Sequence, residues 1–172
     1  MTAGLALFAR NGYAGASVRA IAAEAGVSTG LLYAYFDGKE GLLRALFEAS
    51  MEDVRASFAA AEADGPADER IERLVRASFA IVRRRETFWR LSYGVRMQAA
   101  VLEGLAGSVP VWTDEIRNVL EGYLRDAGVP DPGTEAALLF ALIDGVSQHY
   151  VLDPERYPLD AVVERITARY RA

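Results

Sequence analysis

Apolar residues recur at helical spacing throughout this chain, and sustained two-residue alternation is absent. Leu42, Leu43, Leu46, Phe47, Val54 and Phe58 form one stripe; Ile71, Leu74, Val75, Phe79 and Val82 form a second; Ile116, Val119, Leu120, Tyr123 and Leu124 form a third. Stripes of this period belong to amphipathic helices that bury one face. Glycine, proline and aspartate cluster where such helices would end: Asn11-Gly12, Ala25-Gly26, Asp37-Gly38, Asp64-Gly65-Pro66, Gly107 to Pro110, Gly128 to Gly133 and Asp153-Pro154. The pattern predicts an all-α protein of about nine or ten helices with no internal repeat. The strand-like composition of Leu31–Phe36 is too short and too tightly bracketed to change that.

With 172 residues, 52% of them apolar, the chain can bury a real core and is not of the disordered class. It has no cysteine, which removes disulfide frameworks, thiolate zinc sites and cysteine nucleophiles and fits a reducing compartment. The longest apolar run, Ala136–Ile143, is eight residues, against the roughly 20 of a membrane-spanning helix. Met1–Ala9 lacks the basic region and cleavage pattern of a secretory signal. A soluble cytoplasmic protein is expected. The net charge of −5 argues against coating nucleic acid through bulk charge. That charge is uneven, however. Residues 1–50 balance Arg10, Arg19, Lys39 and Arg44 against Glu24, Asp37, Glu40 and Glu48, so the whole deficit lies beyond residue 50.

The most specific spacing falls between Ser17 and Phe36. Ser17 is a good N-cap for a short helix over Val18–Glu24. Ala22 is small, Gly26 follows four residues later where a corner wants positive φ, and Ser28 caps a second helix whose core side holds Leu32 and Phe36. A small residue, a glycine four on and an apolar residue six beyond that suit two short helices crossing steeply, which is a helix-turn-helix.

The stretches Leu7-Phe8-Ala9-Arg10-Asn11-Gly12-Tyr13, Ser17-Val18-Arg19-Ala20-Ile21-Ala22, Ala25-Gly26-Val27-Ser28, Leu32-Tyr33-Ala34-Tyr35-Phe36 and Lys39-Glu40-Gly41-Leu42-Leu43 together resemble the DNA-binding domain of TetR-family transcriptional regulators. The resemblance implies a three-helix DNA-binding domain over residues 1–45 and a helical effector-binding and dimerisation domain over residues 46–172. It places DNA contacts at Ser17, Arg19, Ser28, Thr29, Gly30, Leu31, Tyr33, Ala34, Tyr35 and Lys39. In physical terms, the second helix of the motif would lie in the major groove. Thr29 can exchange a hydrogen bond with a base edge, Gly30 lets backbone approach, and Tyr33 and Tyr35 offer hydroxyls to phosphates. Lys39, the only lysine in the chain, opens the next helix where a phosphate is favoured.

Two features depart from the family pattern. Leu31 and Ala34 are apolar where relatives often carry polar groups, and no Arg, Asn or Gln is present for a bidentate base contact, so thymine-methyl contact and DNA shape are expected to share the readout. The first helix also begins almost at Met1, whereas relatives usually have an additional stretch with basic residues. If the chain is N-terminally short, its DNA-facing charge is understated.

Beyond the motif, the amphipathic segments Trp112–Arg125 and Thr134–Tyr150 resemble the paired helices of a TetR-type four-helix dimer interface. Ile116, Val119, Tyr123, Leu142, Val146 and Tyr150 are candidate interface residues, with intramolecular core as the alternative. Gly145 in mid-helix costs about 1 kcal/mol relative to Ala and suggests close helix approach. Phe58, Phe79, Phe88, Trp89, Tyr93, Met97 and Trp112 are candidates to line an apolar effector pocket, with packed core again the alternative, and Arg96 and Gln98 are possible polar anchors. Arg83-Arg84-Arg85 reads as a solvated helix end. His149, the sole histidine, reads as a core or interface residue. No metal-spaced cluster or phosphate-cradling glycine loop supports catalysis. The expected protein is a homodimeric repressor that binds a palindromic operator and is released by a small apolar or aromatic effector. It needs no cofactor. A helical small-molecule-binding protein that has lost DNA binding is the first alternative, and a small helical enzyme the second.

Overall fold

The computed structural model describes residues 1–61, 66–96, 98, 101, 105 and 108–171. Among these, every regular element is an α-helix: α1 (Thr2–Gly15), α2 (Val18–Glu24), α3 (Thr29–Tyr35), α4 (Gly38–Ala61), α5 (Ala67–Arg84), α6 (Glu86–Val95), α7 (Ser108–Asp126), α8 (Pro132–Leu152) and α9 (Leu159–Thr167). The punctuation acts as its chemistry predicts. Gly12, at φ 71°, breaks the regular geometry of α1. At the end of α7, Gly128 takes φ 70°; its N–H donates to the Arg125 carbonyl and that of Val129 to the Leu124 carbonyl, the paired closure of a Schellman motif. Asp131 caps α8 by accepting from the Thr134 N–H at 3.4 Å, and Pro132 supplies the preset φ of a first turn.

The chain forms two compact units. The first comprises Met1–Glu52 and Arg85–Val109. Its core draws Leu7 and Phe8 from α1, Ile21 and Ala22 from α2, Leu32 from α3, Leu42, Leu43, Leu46 and Phe47 from α4, and Phe88, Leu91 and Val95 from α6. α6 packs on α1, and Phe88 meets the Phe47 ring edge-on at 5.2 Å. Gly4 is what lets α1 and α4 close: a Cβ there would lie 2.5 Å from Leu42 Cδ2.

The second unit comprises Asp53–Arg84 and Pro110–Ala172. Ile71, Leu74, Val75 and Phe79 of α5 pack with Leu120 and Leu124 of α7, Ala136, Leu139 and Val146 of α8, and Leu159, Val163 and Ile166 of α9. An ion network ties α5 to the C-terminal end. Arg171 donates to Glu72 from Nε at 2.7 Å and Nη2 at 2.6 Å, and Arg76 donates to Glu72 at 2.8 Å and to Glu164 at 2.6 Å. The hydrogen bonds from Arg171 and then Arg76 hold the Glu72 carboxyl down at about 2. Among the described residues, no helix is long and apolar enough to cross a membrane.

Candidate nucleic-acid interface

α2 and α3 form the helix-turn-helix that the spacing predicts. Ser17 accepts from the Ala20 N–H at 3.2 Å and starts α2; Ser28 accepts from the Leu31 N–H at 3.1 Å and starts α3. Between them Gly26 turns the corner at φ 68°. Its N–H donates to the Ala23 carbonyl at 3.1 Å and that of Val27 to Ala22 at 3.0 Å, a second Schellman closure. Ala22 and Leu32 are buried at the crossing. Arg10 pairs with Glu24 at 2.8 Å, which ties α1 to the end of α2 and neutralises one of the few cations here.

All of Ser17, Arg19, Ser28, Thr29, Gly30, Leu31, Tyr33, Ala34 and Tyr35 are exposed. Leu31 keeps 47% of its surface in water, Tyr33 59% and Tyr35 76%. Three large side chains left open on a seven-residue helix mark a surface built for something outside the chain. Ser17 and Ser28 serve first as caps, and each retains its hydroxyl proton for donation. Packing among the described residues places no demand for glycine at position 30, since of these a Cβ there would meet only Ser28 Oγ, at 3.9 Å.

Lys39 differs from the others in being half-buried. Its ammonium donates to the Tyr13 carbonyl at 3.2 Å and lies 4.5 Å from the centroid of the Tyr13 ring. The lysine therefore braces the start of α4 against the end of α1, a role that spacing could not suggest because 26 residues separate the pair. The Tyr13 ring is held by Phe8 at 5.3 Å. Burial first, and the Glu40 charge second, push the Tyr13 phenol up, so it stays neutral beside the cation.

The residues assigned to effector binding fall in two groups. Phe88, Trp89 and Tyr93 share α6 in the first unit, with centroids 5.5 Å apart for Phe88 and Trp89 and 6.0 Å for Trp89 and Tyr93. Phe88 is fully packed, whereas Trp89 and Tyr93 are half-buried. Trp89 Nε1 is buried and has no acceptor among the described residues. In the second unit Phe79 is core and Phe58 packs against that core, while Trp112 is half-buried. Met97 lies outside the described residues. Gln98 Nε2 donates to the Gly94 carbonyl at 2.7 Å on the surface, and Arg96 stacks over Tyr93 at 5.4 Å.

Of the dimer candidates, Val146 belongs to the second unit's core, and Ile116, Val119, Tyr123, Leu142 and Tyr150 pack partly against it. Sequence reasoning missed the outward face of α8. Leu138 and Leu152 are 57% and 69% exposed there, and Ala141 lies open between them. Gly145 shares that face, but a Cβ on it would meet nothing within 4 Å among the described residues, so no close approach within them explains it. His149 is not a core residue: it is exposed, with its ring stacked on Tyr157 at 6.3 Å, because residue 149 falls on the open side of α8. The arginine run is a solvated helix end, in which Arg83 pairs with Asp160 at 2.7 Å and Arg84 donates to Ser57 at 3.1 Å.

A glycine-cornered, serine-capped helix pair with an exposed second helix, in an otherwise helical chain, defines a helix-turn-helix DNA-binding regulator. Residues 1–46 match the family model of bacterial regulatory proteins of the tetR family. Residues 67–171 match that of the BetI-type transcriptional repressor C-terminal domain. The chain belongs to the TetR family of transcriptional regulators. No curated protein matches it.

Solved structures share the fold. The fatty acid degradation regulator FadR from Bacillus halodurans aligns at a TM-score of 0.85 with 22% identity, covering 98% of this chain and 91% of that one. A transcriptional regulator from Rhodococcus sp. RHA1 aligns at 0.85 with 24% identity, covering 98% and 90%. FadR from Bacillus subtilis, solved in complex with stearoyl-CoA, aligns at 0.81 with 20% identity, covering 98% and 94%.

Proposed function

We propose that this regulator is a homodimeric repressor that holds a palindromic operator and is released when a small apolar or aromatic molecule binds its C-terminal part. Residues 1–45 act as the reading head and residues 46–172 as the effector and dimer domain. The observation that carries the reading is the exposed α3, whose Thr29, Gly30, Leu31 and Ala34 are turned to solvent on a rigidly capped scaffold. Its dimensions suit a major groove, with each protomer taking one half-site about one DNA turn, or a modest multiple of it, from the other.

Dimerisation through α7 and α8 is supported by the outward face of α8. That helix carries apolar residues nearly all round, and a helix of that kind needs cover on both sides. Leu138, Ala141, Gly145 and Leu152 leave one side uncovered. For the effector, Trp89 and Tyr93 offer half-buried aromatic surface, and the unpaired Trp89 indole N–H suits an acceptor on the ligand. Release requires that the ligand favour one dimer geometry over another. α4, which starts at the reading head and runs on past residue 52, is the element whose tilt would change the separation of the two α3 helices.

The test is selection from a random duplex library with the full chain, followed by titration with stearoyl-CoA and with smaller aromatic compounds. Enrichment of a palindrome that one of these compounds releases is the expected result. A chain that enriches no sequence yet binds one of the compounds is a ligand-binding protein without DNA binding.

A further inference from the structure

We infer that Leu31 is the specificity-determining residue of the interface and that it reads the C5-methyl group of thymine. The inference rests on the DNA-reading assignment of α3 and deepens it by naming the chemistry read. The segment Thr29–Tyr35 contains no charged side chain and no Asn, Gln or His, so its base-facing positions cannot make the bidentate pairs that identify guanine or adenine. Tyr33 and Tyr35 carry their hydroxyls on long rings, leaving Thr29 as the one short hydrogen-bonding side chain on the helix.

Apolar surface is what the helix presents instead. Leu32 is buried, and Leu31, one residue before it, points away from the core with nearly half its surface open. Ala34 is exposed three residues on, next to Leu31 on the same face, and Gly30 adds no bulk beside them. The result is a shallow apolar patch with one projecting isobutyl group. Only one group on the major-groove edge of B-DNA rewards such a patch, the methyl of thymine; the other edge atoms are donors or acceptors that a leucine would strip of water without repayment. Leu31 is also supported by the cap beneath it, since its own N–H donates to Ser28 Oγ. That fixes the turn from which the side chain projects.

The experiment uses a duplex selected by the full chain, with each thymine of the half-site replaced in turn by deoxyuridine, which removes only the methyl. Wild-type affinity should fall about fourfold at one position, the worth of one buried methyl, and about sixteenfold when both half-sites are changed. In Leu31→Ala the deoxyuridine penalty at that position should vanish, while penalties elsewhere persist. Leu31 contributes little to the core, so the variant folds, and a thermal melt confirms it. Deoxyuridine that is harmless at every thymine, or a penalty that survives in Leu31→Ala, would overturn the inference while leaving DNA binding intact. Failure to select any duplex would overturn the DNA-reading assignment and the inference together.

Discussion

Single residues separate what holds the fold from what faces the ligand. Gly4 serves packing: Gly4→Ala drives a methyl into Leu42 and should cost about 1–3 kcal/mol in thermal or denaturant unfolding. Gly30 serves the surface. Gly30→Ala should leave stability unchanged or raise it by up to about 1 kcal/mol, yet weaken operator binding measured by anisotropy, because the added methyl stands where backbone meets DNA. A variant that loses stability but not affinity would remove Gly30 from the interface. Lys39 holds the fold, and a phosphate contact is proposed for it as well. Its contacts with Tyr13 stabilise by about 0.5–1 kcal/mol, and Lys39→Ala should also lower the slope of log affinity against log salt by about 1 if the ammonium reaches a phosphate. Only the second of these roles could be read from the sequence, since Tyr13 is distant along the chain and no periodicity links it to Lys39.

At the level of elements, the sequence was most legible where backbone chemistry is local. Ser17, Gly26 and Ser28 form the caps and corner their types imply, because those bonds join residues three to five apart. The strand-like look of Leu31–Phe36 gave way to helix for the same reason: the Ser28 cap and burial of Leu32 decide, and the aromatics simply stand in solvent. Which side of α8 meets its own core was not legible, because apolar residues surround that helix and give no direction. The network on α5 adds a pH dependence. Glu72 titrates at about 2 in the folded chain against an ordinary 4.5. Its contribution is therefore complete above about pH 4.5 and is lost as the pH falls toward about 2, where the unfolded chain has already taken up the proton. Between those limits the melting temperature of the wild type should fall more steeply than that of Glu72→Gln; parallel curves would show that the network contributes nothing.

In the proposed dimer, the whole molecule works as a regulator by having two copies present two α3 helices at a fixed spacing. Leu138→Glu places a charge on the open side of α8 and should shift the protein to monomer in sedimentation, with loss of operator binding but a normal helical spectrum. A dimer undisturbed by that change would move the interface elsewhere. Charge at this scale favours binding that is selective and sensitive to salt: residues 1–50 are neutral, the deficit of −5 lies beyond them, and Arg10 is already paired. The central claim is most directly tested by anisotropy titration of the full chain against its selected palindrome and a scrambled duplex of the same length, at two salt concentrations. Two chains per palindrome, tight binding that weakens steeply with salt, and far weaker binding to the scrambled duplex are expected. Equal affinity for the two duplexes, or no binding to either, would contradict it.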